Sequence, residues 1–189
     1  MAVSKRNVLT KGLSGMLSSL IVFRQKGTKT VVAAAPIKGK KGNASPAQLK
    51  VRDQFKLASV YAKAAVKDPA LKKVYEEKAT PDQSAYNIAF ADFYKAPNIV
   101  SLGFEKYTGL AGQLISPSVD DLLPAKSVQV RIEKADGTLV EQGAAVMRDD
   151  KLHWDYTTTQ ANTPAGGSKL IVTATDNPGN IAVKQMVIA

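Results

Sequence analysis

Three helix starts of one kind follow one another in this chain: "SPAQ" at Ser45–Gln48, "DPAL" at Asp68–Leu71 and "TPDQ" at Thr80–Gln83. In each, an oxygen-bearing side chain is placed to accept from the free N–H groups of a first helical turn. The proline that follows occupies a position where its missing N–H costs nothing. Gln48 and Gln83 also stand where a capping box needs them. The pattern predicts helices near 46–67, 69–79 and 81–95, the last stopped by Ala96-Pro97. The middle of the chain is therefore committed to helix, and what lies on either side is read against it.

Plotted at roughly 100° per residue, the first helix separates into two sides. Val51, Phe55, Ala58, Ala62, Ala65 and Val66 share a broad apolar face with Tyr61 at its edge. Arg52, Lys56, Lys63 and Lys67 form a narrow basic stripe elsewhere on the cylinder. The third helix carries Tyr86, Ile88, Phe90, Phe93 and Tyr94, which read as core aromatics rather than as platforms for bases.

Beyond Pro97 the period changes from helical to alternating. In "SVQVRIE", Val128, Val130 and Ile132 point one way. "LHWDYTTT" sets Leu152, Trp154 and Tyr156 against His153, Asp155 and Thr157. Turn signals such as "ADGT" and "DNPGN" separate the runs. Five to seven short strands over residues 98–189 argue a β-sandwich. The run "LIVTATDNPGNIAV", residues 170–183, resembles the closing strands of bacterial immunoglobulin-like domains. Ala174, Asp176, Gly179 and Asn180 carry the likeness. The resemblance implies a sandwich used for adhesion, spacing or assembly, in a bacterial protein, and brings no catalytic residue with it. Residues 1–97 resemble no family.

Before the first helix, residues 16–35 read as a β-hairpin: "MLSSLIVFR" and "TKTVVAAA" flank "QKGTK", whose glycine suits a tight turn. A lone hairpin is marginal in water and needs a surface to lie on. "PIKGKKGNAS" follows as a loop. The chain's formal charge of +10 is unevenly spread, with 18 Lys/Arg against six Asp/Glu through residue 97 and eight against ten after it. Residues 1–52 hold 11 basic side chains and no acidic one. That layout points to a polyanion, either nucleic-acid phosphates or an acidic protein face. Lys38, Lys40 and Lys41 of the loop, with Arg52, Lys56, Lys63 and Lys67 of the helix, are the candidate contacts. The glycines of the loop and the helix N-terminus beyond it suit phosphate in a sequence-independent way.

The residue types needed for catalysis do not assemble. The chain has no cysteine and one histidine, His153, which alternation turns away from Trp154. Asp120/Asp121 and Asp149/Asp150 are neighbours on strand-like segments, so each pair points to opposite faces. Asp176 and Asn180 are explained by their turn. "GKKGN" lacks the spacing of a nucleotide-phosphate loop. No enzyme activity, cofactor or metal is expected. No apolar run is long enough to span a bilayer. Arg24, Lys26 and Lys29 separate the apolar stretch near the start from the small residues at 33–35. That argues against a secretory leader and for a cytoplasmic setting.

The expected fold class is α+β in two domains: a basic hairpin arm and lysine loop over 1–44 with a three-helix unit over 45–97, then an Ig-like β-sandwich over 98–189. The expected role is a non-catalytic interaction protein. The alternative is an assembly subunit that forms homo-oligomers by strand exchange of its hairpin.

Overall fold

The computed structural model describes residues 2–4, 10–37 and 43–188. The first two helices start as the sequence predicts. Ser45 Oγ accepts from Gln48 N at 3.3 Å while Gln48 Oε1 accepts from Ser45 N at 3.1 Å, closing the capping box of α1, Pro46–Ala65. Asp68 Oδ1 accepts from Ala70 N and Leu71 N at the head of α2, Pro69–Lys78. The third signature behaves differently. Gln83 Oε1 turns back to Thr80 N and Thr80 Oγ1, closing a turn, and the helix begins at Ala85 rather than at Pro81, four residues later. Ser84 caps α3, Ala85–Tyr94, by accepting from Asn87 N. Two cap-competent residues compete here, and the second one starts the helix.

Small residues let the helices approach closely. Ala62 and Ala65 of α1 meet Tyr75 of α2 and Ala85, Ile88 and Ala89 of α3 in one buried apolar cluster. Leu123, far away in sequence, completes that cluster, and Leu122 packs against its edge. Leu123→Ala is therefore expected to cost about 2–4 kcal/mol by denaturant titration, most of it from the helical cluster.

The N-terminal hairpin is part of a larger sheet. Its turn is two residues long, between β3, Ile21–Lys26, and β4, Lys29–Ala34, with Gly27 at φ +59. Ser18, at φ +57, folds the expected first strand in two, so Gly15–Leu17 forms a separate β2. With β1, Ala2–Ser4, the order is β1-β4-β3-β2. Lys29 Nζ reaches Asp82 Oδ2 at 3.4 Å, tying the hairpin tip to the turn before α3.

Among the described residues, nine strands rather than five to seven follow α3. The additional ones span two to four residues, too short to show alternation. Strand β5, Asn98–Ser101, pairs with β7, Ser118–Asp120. The pair β6, Leu114–Ile115, and β10, Val146–Met147, flank β11, Trp154–Thr157. The longest sheet runs β13-β12-β8-β9, made of β8, Ser127–Glu133, β9, Leu139–Ala144, β12, Lys169–Thr175, and β13, Ile181–Val187. All pairings are antiparallel, with Val172 opposite Val130 on one side and Lys184 on the other. Val128, Val130, Ile132, Leu170, Val172 and Ala174 are fully buried, as the alternation predicts. They pack on Ile115, Trp154 and Tyr156 and on Ile99 and Val119 of the shorter sheets. Facing sheets around one apolar core make this a β-sandwich arrangement within a mixed α+β chain.

Candidate anion-binding surface

Helix α1 is 20 residues long and α3 is 10. Only the C-terminal part of α1 finds cover, and its buried residues are Ala58, Ala62 and Ala65. Every residue from Pro46 to Leu57 is exposed, so this stretch is open to solvent along most of its surface. Val51 and Phe55 continue the packing face past the end of its cover, at 62% and 59% exposure. Phe55 meets Phe90 edge-on at 4.8 Å and is otherwise open on its outer side.

The basic stripe lies beside this overhang. Arg52, Lys56, Lys63 and Lys67 are all exposed, and none forms an ion pair with a described carboxylate. Along the axis, Arg52 to Lys63 covers about 16 Å at about 1.5 Å per residue. Four cations elsewhere are ion-paired: Lys29 with Asp82, Lys72 with Glu76, Arg131 with Glu133 and Arg148 with Asp155. Lys38, Lys40 and Lys41 lie outside the described residues. The sequence reading did not find the second apolar stripe, Leu49, Leu57 and Val60, on the side of the helix away from the packing face. It is exposed at 49%, 60% and 62%. Its signal was present as a second set of apolar residues at helical spacing, on a helix with one packing face already assigned.

The other sequence candidates resolve into structure. His153 Nδ1 lies 2.7 Å from Asp150 Oδ2 on the surface. Asp150 Oδ1 also accepts from Leu152 N and His153 N, and these bonds lower its pKa to about 2. Asp176 Oδ1 accepts from Gly179 N and Asn180 N, closing the "DNPGN" turn. Asn180 Nδ2 then donates to Asp176 Oδ2 and to the carbonyl of Phe93, so the turn grips the end of α3. Leu152 is exposed and lies outside β11, whereas Trp154 and Tyr156 are buried as expected. Among the described residues, no three His, Asp or Glu side chains come together as a metal-holding group. No helix there is long and apolar enough to cross a membrane.

One buried polar chain went unread in the sequence. Tyr61 Oη and Tyr75 Oη are 2.7 Å apart, and Tyr75 Oη donates to Asp92 Oδ2 at 2.8 Å. Asp92 is 1% exposed, and its Oδ1 has no hydrogen-bond partner. Burial raises its pKa to about 6, opposed by the Tyr75 bond, with Asp121 and Asp176 raising it further and Lys95 lowering it. Asp121 is shifted upward too, chiefly by burial, and its Oδ2 is likewise unpartnered.

The chain matches no family model and no curated protein. Three solved structures share some geometry with it. CopC from Methylosinus trichosporium OB3b aligns over 40% of this chain and 72% of its own, at 16% identity and TM-score 0.32. An engineered protein aligns over 64% of this chain and 28% of its own, at 19% identity and TM-score 0.34. The S-layer protein rSbsC(31-844) aligns over 75% and 23%, at 13% identity and TM-score 0.30. Likeness at these scores carries no inference about function.

Proposed function

We infer that this is a non-catalytic interaction protein whose first helix presents a basic face to a polyanion, nucleic-acid phosphates or an acidic protein surface. The β-rich half, Ig-like in its closing strands, serves protein contacts. The supporting observation is that Arg52, Lys56 and Lys63 line one exposed side of α1, continued by Lys67 just past its end, and none of the four is ion-paired with a described carboxylate. Unpaired, exposed charge of one sign along one stripe attracts an opposite field at a distance set by salt. In the sequence, Lys38, Lys40 and Lys41 precede the helix start and add positive charge of the same sign.

Fluorescence anisotropy with a 20-base-pair duplex tests the reading. If about six phosphates are neutralised, affinity should fall roughly 10³-fold between 50 and 200 mM salt. Lys56→Ala should reduce the salt slope by about one, uniformly across sequences. Absence of binding to both the duplex and polyglutamate at 25 mM salt would remove this function. The assembly reading keeps one support, because edge strand β2 is exposed along its whole length.

A further inference from the structure

The overhang of α1 asks for more than negative charge. Leu49, Leu57 and Val60 adjoin the basic stripe, and a partner that covers the stripe also covers them. A phosphate backbone offers nothing to bury against these side chains, and leaving them in water forfeits about 25 cal/mol per Å² of apolar surface. The fitting partner is a surface that is acidic and apolar together.

Such a surface exists on this same chain. A groove of about 380 Å³ runs between α2 and the loops that follow β7 and precede β11. Glu77, Asp120, Asp121 and Asp150 line it around the apolar side chains of Val74 and Leu122. Lys78 and Lys151 also face it, which leaves an acidic excess. Asp121 Oδ2 on its wall has no donor. In its own chain α1 stays clear of this groove, since Pro46 through Leu57 are all exposed. Pairing two copies of α1 with each other would set Arg52 and Lys56 against like charge.

We propose that the α2–β7 groove of one copy receives the Leu49–Lys63 face of α1 from a second copy. The stripe spacing of Leu49, Lys56, Val60 and Lys63 lays one apolar-and-basic ridge along the helix. Arg52, Lys56 and Lys63 meet the carboxylates, Leu49 and Val60 cover Val74 and Leu122, and Asp53, one turn from both Leu49 and Leu57, lies beside Val60 and faces Lys78 or Lys151. The contact is heterologous, head to tail, so it propagates into a ring or an open filament. It rests on the function inferred above only in taking the α1 stripe as the contact face.

Sedimentation equilibrium of the full chain tests this. At 25 mM salt the weight-average mass should at least double over a concentration series up to 1 mM, and it should return to monomer at 500 mM salt. Arg52→Gln/Lys56→Gln and Glu77→Lys/Asp120→Lys, each verified as folded by circular dichroism, should each be monomeric alone. Mixed together, they should form one-to-one dimers that grow no further, because each supplies the one intact face the other lacks. Val60→Ser should weaken self-association tenfold or more while leaving duplex affinity unchanged. A monomeric intact chain, a mixture that stays monomeric, or a groove variant that still associates overturns the assembly. The intact chain's duplex binding decides the function above independently: duplex binding without self-association keeps that function and sinks this inference, and absence of both sinks both.

Discussion

Asp92→Asn should leave the protein's stability nearly unchanged at pH 4 and raise it by as much as about 3 kcal/mol at pH 8. Asp92 is buried between α3, the loop after β7 and the β12–β13 turn, and its pKa is raised from 3.8 to about 6. The folded protein therefore holds a proton on this group that the unfolded chain has already released between those two values. Stability contributed by a raised carboxylate is present below the unfolded pKa and lost as pH rises through the folded one. A shift of about two units corresponds to about 3 kcal/mol, fully lost above pH 7. Asparagine keeps an oxygen to accept from Tyr75 Oη and carries no charge to bury. Asp155 moves the opposite way: the Arg148 side chain lowers its pKa, so that group favours the folded state at neutral pH. Taking the difference between variant and parent cancels that term. Urea titrations at half-unit steps from pH 4 to pH 8 measure the difference, and a flat difference would refute the assignment of the proton to Asp92.

Gly109→Ala should destabilise the protein by about 3 kcal/mol or more, whereas Gly112→Ala should cost about 1 kcal/mol. Both residues have positive φ, +90 and +82, so both pay for placing an L side chain in the left-handed region. They differ in surroundings. A Cβ at Gly112 meets nothing within 4 Å, while one at Gly109 would overlap the carbonyl oxygen of Asn162. That oxygen belongs to backbone that cannot swing aside cheaply. Asn162 N donates to Gly109 O at 2.7 Å, and Asn162 Nδ2 donates to Ser168 Oγ from a residue that is 2% exposed. Equal midpoints for the two variants in guanidinium titration would show that the close approach is not a constraint.

Local chemistry made the helices and the long strands legible. Ser45 and Asp68 act as caps because their partners are within three residues, so the neighbours alone decide the outcome. Alternation in β8 and β12 was readable because each has seven residues, three of which, at alternate positions, are buried. Gln83 was misplaced because a turn and a capping box use the same bond, and the choice depends on Ser84 lying next in line. The short strands carry too few residues for a period to appear. Of the site, the basic stripe was visible as helical spacing. Its overhang was not, because exposure of Val51 and Phe55 depends on how far α3 reaches. The Tyr61–Tyr75–Asp92 chain joins three helices and is fixed only by their packing.

Leu123 sits after β7 yet fills the floor beneath Tyr75, Ile88 and Ala89, and Asn180 holds the carbonyl of Phe93. Severing the chain at Pro97 would take away both. The helical piece would then be left with an uncovered underside and a loosened C-terminal end, prone to clump. Heating the intact protein should accordingly melt helix and sheet signals at one shared temperature.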